Sequence, residues 1–418
     1  TGKPGTEDFQ TNLARLHETS IQPHYIHSEE NFPVVASGTV IIDAIYGTGL
    51  NRPAEGSAAK LIKHINAQKC AVIAIDLPSG LNPDHSSKNN TVITATHTLS
   101  FQCFKPAFLL PENEDAIGQL HILDIGLEPG YIETLTDTDL FISKDIASQL
   151  FRKRKSFSHK GDYGHAAIIA GSKGMMGAAV LSAKACLRSG AGKLTCFIPA
   201  CGCDIVQTSL PEAMVITAAE NDYIGSVKLN AKYSAIGIGP GLGNHSANAD
   251  LLASVFDSTE YPMVIDADAL NTLATHKTLL EKIPSFSILT PHPAEFARVF
   301  GESSDDYARI EQASAMAVKF GVIIILKGHY TLVAMPGGKK YFNSTGNAGM
   351  AKGGSGDVLT GILTGLLSQR YPPEAAALLG VYIHGKAGDF AAAEHSQEAM
   401  LATDIIDCLG KAFYSFQP

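Results

Sequence analysis

Short β-branched runs that close on glycine alternate along the chain with longer Ala/Leu-rich segments whose apolar positions recur at helical spacing. That alternation predicts parallel βαβ units. The runs that read as strands are "TVIIDAIYG", "AVIAIDLPSG", "HAAIIAGS", "KLTCFIP", "SAIGIGPG", "PMVIDADAL", "SFSILTPHP" and "VIIILKG". Nearly all are apolar at successive positions, as strands covered by helices on both faces must be. The expected fold class is α/β. Between Asp124 and Ser158 the rhythm lapses into "DIGLEPGYIETLTDTD" and then a basic run, "FRKRKSFSHK", with polar and turn residues dominating. A chain of 418 residues is too long for one ordinary core. Two domains are therefore expected, 1–140 and 141–418.

Composition narrows the function. A net charge of -9 argues against a nucleic-acid surface, because phosphate binding needs a basic stripe and this chain has one short basic run. No apolar run approaches the roughly 18 residues that cross a bilayer. The seven cysteines are scattered without metal spacing, and the closest pair, Cys201 and Cys203, is C-x-C. A soluble protein of a reducing cytoplasm is expected. The chain opens "TGKPGTEDFQ", without an initiator methionine or a signal-peptide core, which suggests a processed or truncated product.

The stretch "GNAGMAKGGSGDVLTG", 346–361, carries the most explicit chemistry. Gly353, Gly354 and Gly356 let the backbone turn its N–H groups toward one point, and "DVLTGILTGLL" reads as a helix whose first turn has unpaired donors. Such a helix start is an anion hole. The string is not the Walker phosphate loop, since Lys352 precedes the glycines. Asp357 beside that hole would repel phosphate unless it takes a proton from an attacking hydroxyl or meets a metal. The bland alternative is a helix cap. Further strand ends look poised toward the same cleft: small residues around Ala178, the glycines of "GIGPGLGN", His292 between two prolines, and "LKGHYTLV" with Lys327, Gly328 and Thr331. In open α/β sheets ligands bind at those carboxyl ends. Each also has a plain reading, His292 as a surface histidine and Lys327 as a solvated terminus.

Taken together, "KGDYGHAAIIAGS", "GPGLG", "DADALN", "TPHPAEF", "KGHYT" and "GNAGMAKGGSGDVLTG" resemble the nucleotide-dependent NAD(P)HX dehydratases, over about residues 145 to 415. The resemblance implies a ribokinase-like domain with a mainly parallel sheet covered by helices. It implies ADP or ATP as phosphoryl donor, Mg²⁺, and hydrated NAD(P)H as substrate. By that resemblance Ala178, Gly241, Gly243, His292 and Asp357 would touch the hydrated cofactor. Lys327, Gly328, His329, Tyr330, Thr331, Gly353, Gly354, Ser355 and Gly356 would hold the nucleotide, with Asp357 catalytic. The chain departs from the pattern at Ala348, where proline is usual, and at Lys352, where a small residue is usual. No carboxylate cluster in the sequence identifies Mg²⁺ ligands.

In the first domain "IIDAIYGTGLNRP" and "AIDLPSGLNPD" are two strand ends, each with an acid followed by turn residues. Asp43 and Asp76 could face one cleft, with Ser79 joining a cation site, or both acids could cap turns. These strings resemble the NAD(P)HX epimerases, over about residues 1 to 130. The resemblance implies a Rossmann-like domain in which Gly47, Thr48, Gly49, Leu50, Asn51, Arg52, Pro53 and Asp76 contact hydrated cofactor. Asp43 and Ser79 would bind K⁺. The glycine-rich "NNGGD" phosphate loop of that family does not occur in the 418 residues, so a truncated epimerase domain is expected. A homo-oligomer is expected, with neither nucleic acid nor membrane as partner. Two readings compete: a ribokinase-like kinase of a small alcohol, which would stop at the phosphorylated product, and a non-catalytic first domain that only binds.

Overall fold

The computed structural model describes residues 5–132, 134–135 and 139–416. The chain divides into two compact units that part between Glu128 and Pro129, inside the polar stretch that breaks the sequence rhythm.

The first unit is built on four parallel strands, β1 (Val40–Asp43), β2 (Ala71–Ile75), β3 (His97–Phe101) and β4 (Gln119–Leu123), in spatial order β1-β2-β3-β4. One face packs Val72 and Ala74 against Ile62 of the helix Gly56–Ala67. The opposite face carries Val40, Ile42 and Leu123, all exposed. β3 escapes a hydrophobicity reading because Thr98 and Ser100 are the residues it buries. Thr98 Oγ1 donates to the Ile117 carbonyl at 2.7 Å, so this polar side chain is satisfied inside the core.

The second unit holds a ten-stranded sheet ordered β5-β14-β13-β12-β11-β10-β9-β6-β7-β8. Its strands are β5 (Leu140–Ile142), β6 (His165–Ile169), β7 (Lys193–Ile198), β8 (Met214–Thr217), β9 (Ala235–Ile238), β10 (Met263–Ile265), β11 (Ile288–Leu289), β12 (Ile323–Leu326), β13 (Leu332–Ala334) and β14 (Lys340–Asn343). Only β13 runs against its two neighbours. The central strands β9 to β12 are buried at every position, as the consecutive apolar runs require.

One helix pair positions the cleft. The helices Met176–Arg188 and Ser355–Ser368 approach so closely that a Cβ at Gly361 would lie 2.2 Å from the Ser182 carbonyl oxygen, and one at Gly365 would lie 2.6 Å from that of Cys186. The glycines of "TGILTG" thus let backbone meet backbone, and the start of the second helix is fixed above the strand ends. Lys352, one of the two departures from the pattern noted in the sequence, donates through its ammonium to the Met400 carbonyl at 2.9 Å.

Candidate active site

The helix Ser355–Ser368 begins after Gly354, whose φ of +94° is left-handed, and no side chain caps it. Asp357 therefore stands inside the first turn and is not the residue at the cap position. Gly356 sits where a Cβ would lie 3.3 Å from Lys327 Nζ and 3.6 Å from Asp266 Oδ2. Lys327 directly follows β12 and Asp266 directly follows β10, so two strand ends and one helix start meet at a point.

That point is crowded with acid. Lys327 Nζ lies 3.0 Å from Asp266 Oδ1 and 3.7 Å from Glu295 Oε2. Burial draws the ammonium down, but Asp266, then Glu295 and Asp357, outweigh it and hold it above its ordinary value. Asp357 is left short of positive partners. Burial first, then the charge of Asp266, with Asp268 and Glu295 adding, push its carboxyl up to about 7 against the opposing pull of Lys327. A carboxyl poised there can exchange a proton near neutral pH. Behind the helix start, His384 Nε2 lies 3.3 Å from Ser355 Oγ. Burial, with Lys327 adding, drives that imidazole down to about 4 although Ser355 opposes, so it remains neutral.

The loop after β9 reaches the same group of acids through Gly243 and Asp268. A Cβ at Gly241 would meet the Ala178 methyl at 3.0 Å, which places the two side by side. Gly243 N–H donates to Asp268 Oδ2 at 2.8 Å, and Asn248 Nδ2 donates to the Gly243 carbonyl at 2.7 Å. Ala178, Gly241 and Gly243 are thereby joined, through Asp268, to the acids around Asp357. His292 is the N-cap of the helix Pro293–Phe300, its Nδ1 accepting from Ala294 N–H at 3.2 Å and Glu295 N–H at 3.3 Å. Its Nε2 is 3.5 Å from Glu295 Oε1, so its tie to the site runs through Glu295. Gly328 and Thr331 close a turn beyond Lys327, Thr331 Oγ1 donating to the Gly328 carbonyl at 2.9 Å. The ring of Tyr330 meets that of His329 edge-on, with centroids 4.3 Å apart. Gly353 has open space where a Cβ would be.

In the first unit Asp76, at φ +68°, ends β2. Its Oδ2 accepts from Thr48 N–H at 3.0 Å and its Oδ1 meets Lys105 Nζ at 3.1 Å. A Cβ at Gly47 would lie 2.9 Å from Asp76 Oδ2, so glycine is what lets that loop close over the carboxylate. Thr48, Gly49 and Asn51 to Pro53 are exposed, while Leu50 is half-buried and its carbonyl accepts from Asn82 Nδ2 at 3.4 Å. Asp43 and Ser79 are both fully buried and touch: Ser79 N–H donates to Asp43 Oδ2 at 2.7 Å and Ser79 Oγ to Oδ1 at 2.6 Å.

Sequence reasoning missed Asp266, Asp268, Glu295, Thr360, His384 and Lys105. For the first three a signal existed. "DADALN" puts two acids at a strand end, and "HPAE" has the spacing of a capping box, which Glu295 Oε2 completes by accepting from His292 N–H at 2.8 Å. Thr360 and His384 lie inside apolar helical runs, where nothing local marks them.

A glycine-led helix start without a side-chain cap, with a carboxyl raised to about 7 in its first turn at the carboxyl ends of a mainly parallel sheet, is an arrangement suited to phosphoryl transfer. Residues 166–411 match the family model described as NAD(P)H-hydrate dehydratase, and residues 1–107 match that of the YjeF-related protein N-terminus. The bifunctional NAD(P)H-hydrate repair enzyme of Moorella thermoacetica is 36% identical over 88% of this chain and 72% of its own length. The Escherichia coli enzyme of that name is 35% identical over 88% of this chain and 70% of its own. The ADP/ATP-dependent NAD(P)H-hydrate dehydratase of Bacillus subtilis, co-crystallised with ATP and Mg²⁺, superposes with a TM-score of 0.60 at 32% identity, covering 68% of this chain and all of that one. The chain belongs to the bifunctional NAD(P)H-hydrate repair enzyme family.

Proposed function

We propose that the second unit dehydrates the 6S form of hydrated NADH or NADPH at the expense of ADP, releasing AMP and phosphate. The observation that carries this reading is Asp357, pushed up to about 7 in the first turn of an uncapped, glycine-led helix. Asp357 takes the proton of the cofactor's hydroxyl as that oxygen attacks the terminal phosphorus of the nucleotide. The N–H groups of Gly353 to Gly356 receive charge developing on the transferred group, a contribution of about 3 kcal/mol for a well-aimed donor. The ring nitrogen's lone pair then expels phosphate, which is a far better leaving group than hydroxide, and the ring cation so formed loses a proton from the carbon next to the one that bore the hydroxyl, which restores the dihydropyridine. Ala178, Gly241, Gly243 and His292 line the cofactor side in this proposal, with Asp357 between the two ligands. Lys327 to Thr331, with Gly353 to Gly356, take the nucleotide.

Among the described residues no group of three or more His, Cys, Asp or Glu is disposed to hold a metal. Mg²⁺ accordingly fits as a companion of the nucleotide, held by its phosphates and by water. In the first unit the chemistry of Asp43 and Ser79 fits K⁺. Among the described residues no ion pair is formed by Asp43, although it is fully buried, and a monovalent cation supplies the missing charge. We further propose that this unit, within the 418 residues, does not epimerise efficiently. It has no "NNGGD" run, and Val40, Ile42 and Leu123 stand exposed on a sheet face that parallel sheets ordinarily cover. A homo-oligomer in a reducing cytoplasm, with its seven cysteines free, completes the proposal.

The deciding assay incubates the chain with hydrated NADH and ADP or ATP and follows the dihydropyridine absorbance. Its restoration supports the reading. A stable phosphorylated product without restored NADH would instead make the unit a small-alcohol kinase.

A further inference from the structure

Asp266 is almost wholly buried, at 1% exposure, yet it is an acid. Both its oxygens are engaged: Lys327 Nζ at 3.0 Å on Oδ1, and the Thr360 hydroxyl, which donates to Oδ2 at 2.8 Å. Thr360 stands one helical turn beyond Asp357 on the same helix. One carboxylate therefore ties together the end of β10, the end of β12 and the helix that carries the base. The residue that follows it, Ala267, is held at φ +50° and ψ −119°, a conformation that ordinarily demands glycine. Strain of that kind costs of order 1–3 kcal/mol and persists where surroundings over-determine the backbone. A buried ion pair is itself weak support for a fold, since well-packed apolar residues do as well or better. The strain and the burial together have a purpose beyond packing.

We propose that Asp266 is a positioning residue for phosphoryl transfer: through Lys327 and Thr360 it clamps the end of β12 and the Asp357 helix in one register. The proposal rests on the reading of Asp357 as the base. The groups that bear on Asp357 are Asp266 and Asp268 from the end of β10, Lys327 from the end of β12, and Glu295 from the helix Pro293–Phe300. Neutral His384, from the helix Pro373–Ala399, stands beside Ser355 of the same helix start. Of these, Asp266 is the acid whose removal relieves Asp357 most, and Lys327 is the one cation.

Two substitutions then act in opposite directions. Asp266→Asn keeps the size of the side chain and one of its two acceptor oxygens but deletes a repelling charge, so Asp357 ionises at lower pH. Lys327→Gln deletes the attracting charge, so Asp357 ionises at higher pH. In the full chain assayed with hydrated NADH and ADP, the acid limb of kcat/KM should move down by about one pH unit in the first variant and up by a similar amount in the second. Thr360→Val cuts the clamp without changing charge and should lower kcat about tenfold, leaving the limb in place. Limbs that stay fixed, or that move the same way in both charge variants, overturn the proposal. So does a Thr360→Val enzyme with unchanged kcat. A ¹³C NMR titration of the Asp357 carboxyl reads the same displacements without turnover. If the wild-type chain restored no NADH, the dehydratase reading would fail, and this titration would still decide the role of Asp266. Should Asp266→Asn not fold, the upward displacement in Lys327→Gln and the fall in Thr360→Val remain the test.

Discussion

Both units set an acid at the carboxyl end of a parallel strand beside left-handed backbone, Asp76 itself at φ +68° and Asp266 next to Ala267 at φ +50°. Their partners differ. In the first unit each acid is matched: Asp76 has Lys105 at 3.1 Å and Thr48 N–H at 3.0 Å, and Asp43 has two donors from Ser79 at 2.7 Å and 2.6 Å. In the second unit Asp266, Glu295 and Asp357 gather around the ammonium of Lys327, and Asp268 adds its charge on Asp357. The same strand-end placement thus yields opposite chemistry. Matched acids hold backbone and side chains in place, whereas outnumbered ones leave a carboxyl that keeps its proton until near pH 7.

The largest expected effect breaks the second half of that contrast. Asp357→Asn preserves shape and deletes the base, so turnover at saturating nucleotide should fall by about a hundredfold or more. Near-normal dehydration by this variant would show the acid to be structural. The same substitution carries a stability signature of definite sign. A carboxyl raised in the folded state binds its proton more tightly there than in the unfolded chain. The contribution of this group to wild-type stability should then be full below the unfolded value of about 4 and decline as pH rises through about 7. In Asp357→Asn that decline should be absent, so the variant should gain on wild type in denaturant titrations at pH 8 relative to pH 5. A parallel pH dependence in the two proteins would contradict the assignment.

The second prediction concerns the matched acids. The purified 418-residue chain should interconvert the epimers of hydrated NADH about a hundredfold more slowly than a protein with a complete phosphate loop, since misplacement of about 1 Å costs that much. Fast interconversion, followed by chiral separation of the two epimers, would show Asp76 and the loop Gly47 to Pro53 to be sufficient.

How far the sequence could be read follows the same divide. All eight runs expected as strands are strands, because buried parallel strands must be apolar at consecutive positions. β3, β4, β5, β8, β13 and β14 were missed. β3 buries Thr98 and Ser100, and β13 and β14 are short segments that pair antiparallel. Glycine strings exposed the uncapped helix start at Gly354 and the Gly241 loop, since backbone in a left-handed conformation leaves a mark in composition. Lys327 was legible as a strand-end residue, but not that Asp266, 61 positions earlier, would be its partner. A pairing across strands is set by sheet order, and local pattern carries no record of it.

A third test sharpens the separation of nucleotide from cofactor within the second unit. Gly328 has open space where a Cβ would stand, so Gly328→Val should leave the fold intact while its branched side chain obstructs a ligand lying on that backbone. ADP affinity should drop about tenfold, roughly 1.4 kcal/mol, with little change for hydrated cofactor. Thr331→Ala should weaken ADP in the same direction by opening the turn that Thr331 Oγ1 closes on the Gly328 carbonyl at 2.9 Å. Calorimetric titration of each ligand separately decides the matter, and equal losses for both ligands would mean global damage.

The smallest effect probes whether the matched acids of the first unit are as complete as their hydrogen bonds suggest. Ser79→Ala removes the Oγ that donates to Asp43 Oδ1 at 2.6 Å and that accepts from Tyr46 N–H at 2.9 Å. A buried carboxylate and a backbone donor each lose a partner, a cost of about 1–3 kcal/mol. Hydrogen bonds satisfy the lone pairs of Asp43 but do not neutralise its charge, and that remainder is what a monovalent cation supplies. Calorimetric melting in K⁺ should therefore exceed melting in choline at equal ionic strength by a few degrees for the wild-type chain, because a ligand that binds only the folded state stabilises it. The increment should shrink in Ser79→Ala and vanish in Asp43→Asn, where the charge itself is gone. Equal melting of the wild type in both salts would mean that Asp43 is content with its hydrogen bonds from Ser79 and Ile45, and the contrast between the two units would then rest on hydrogen bonding without a cation.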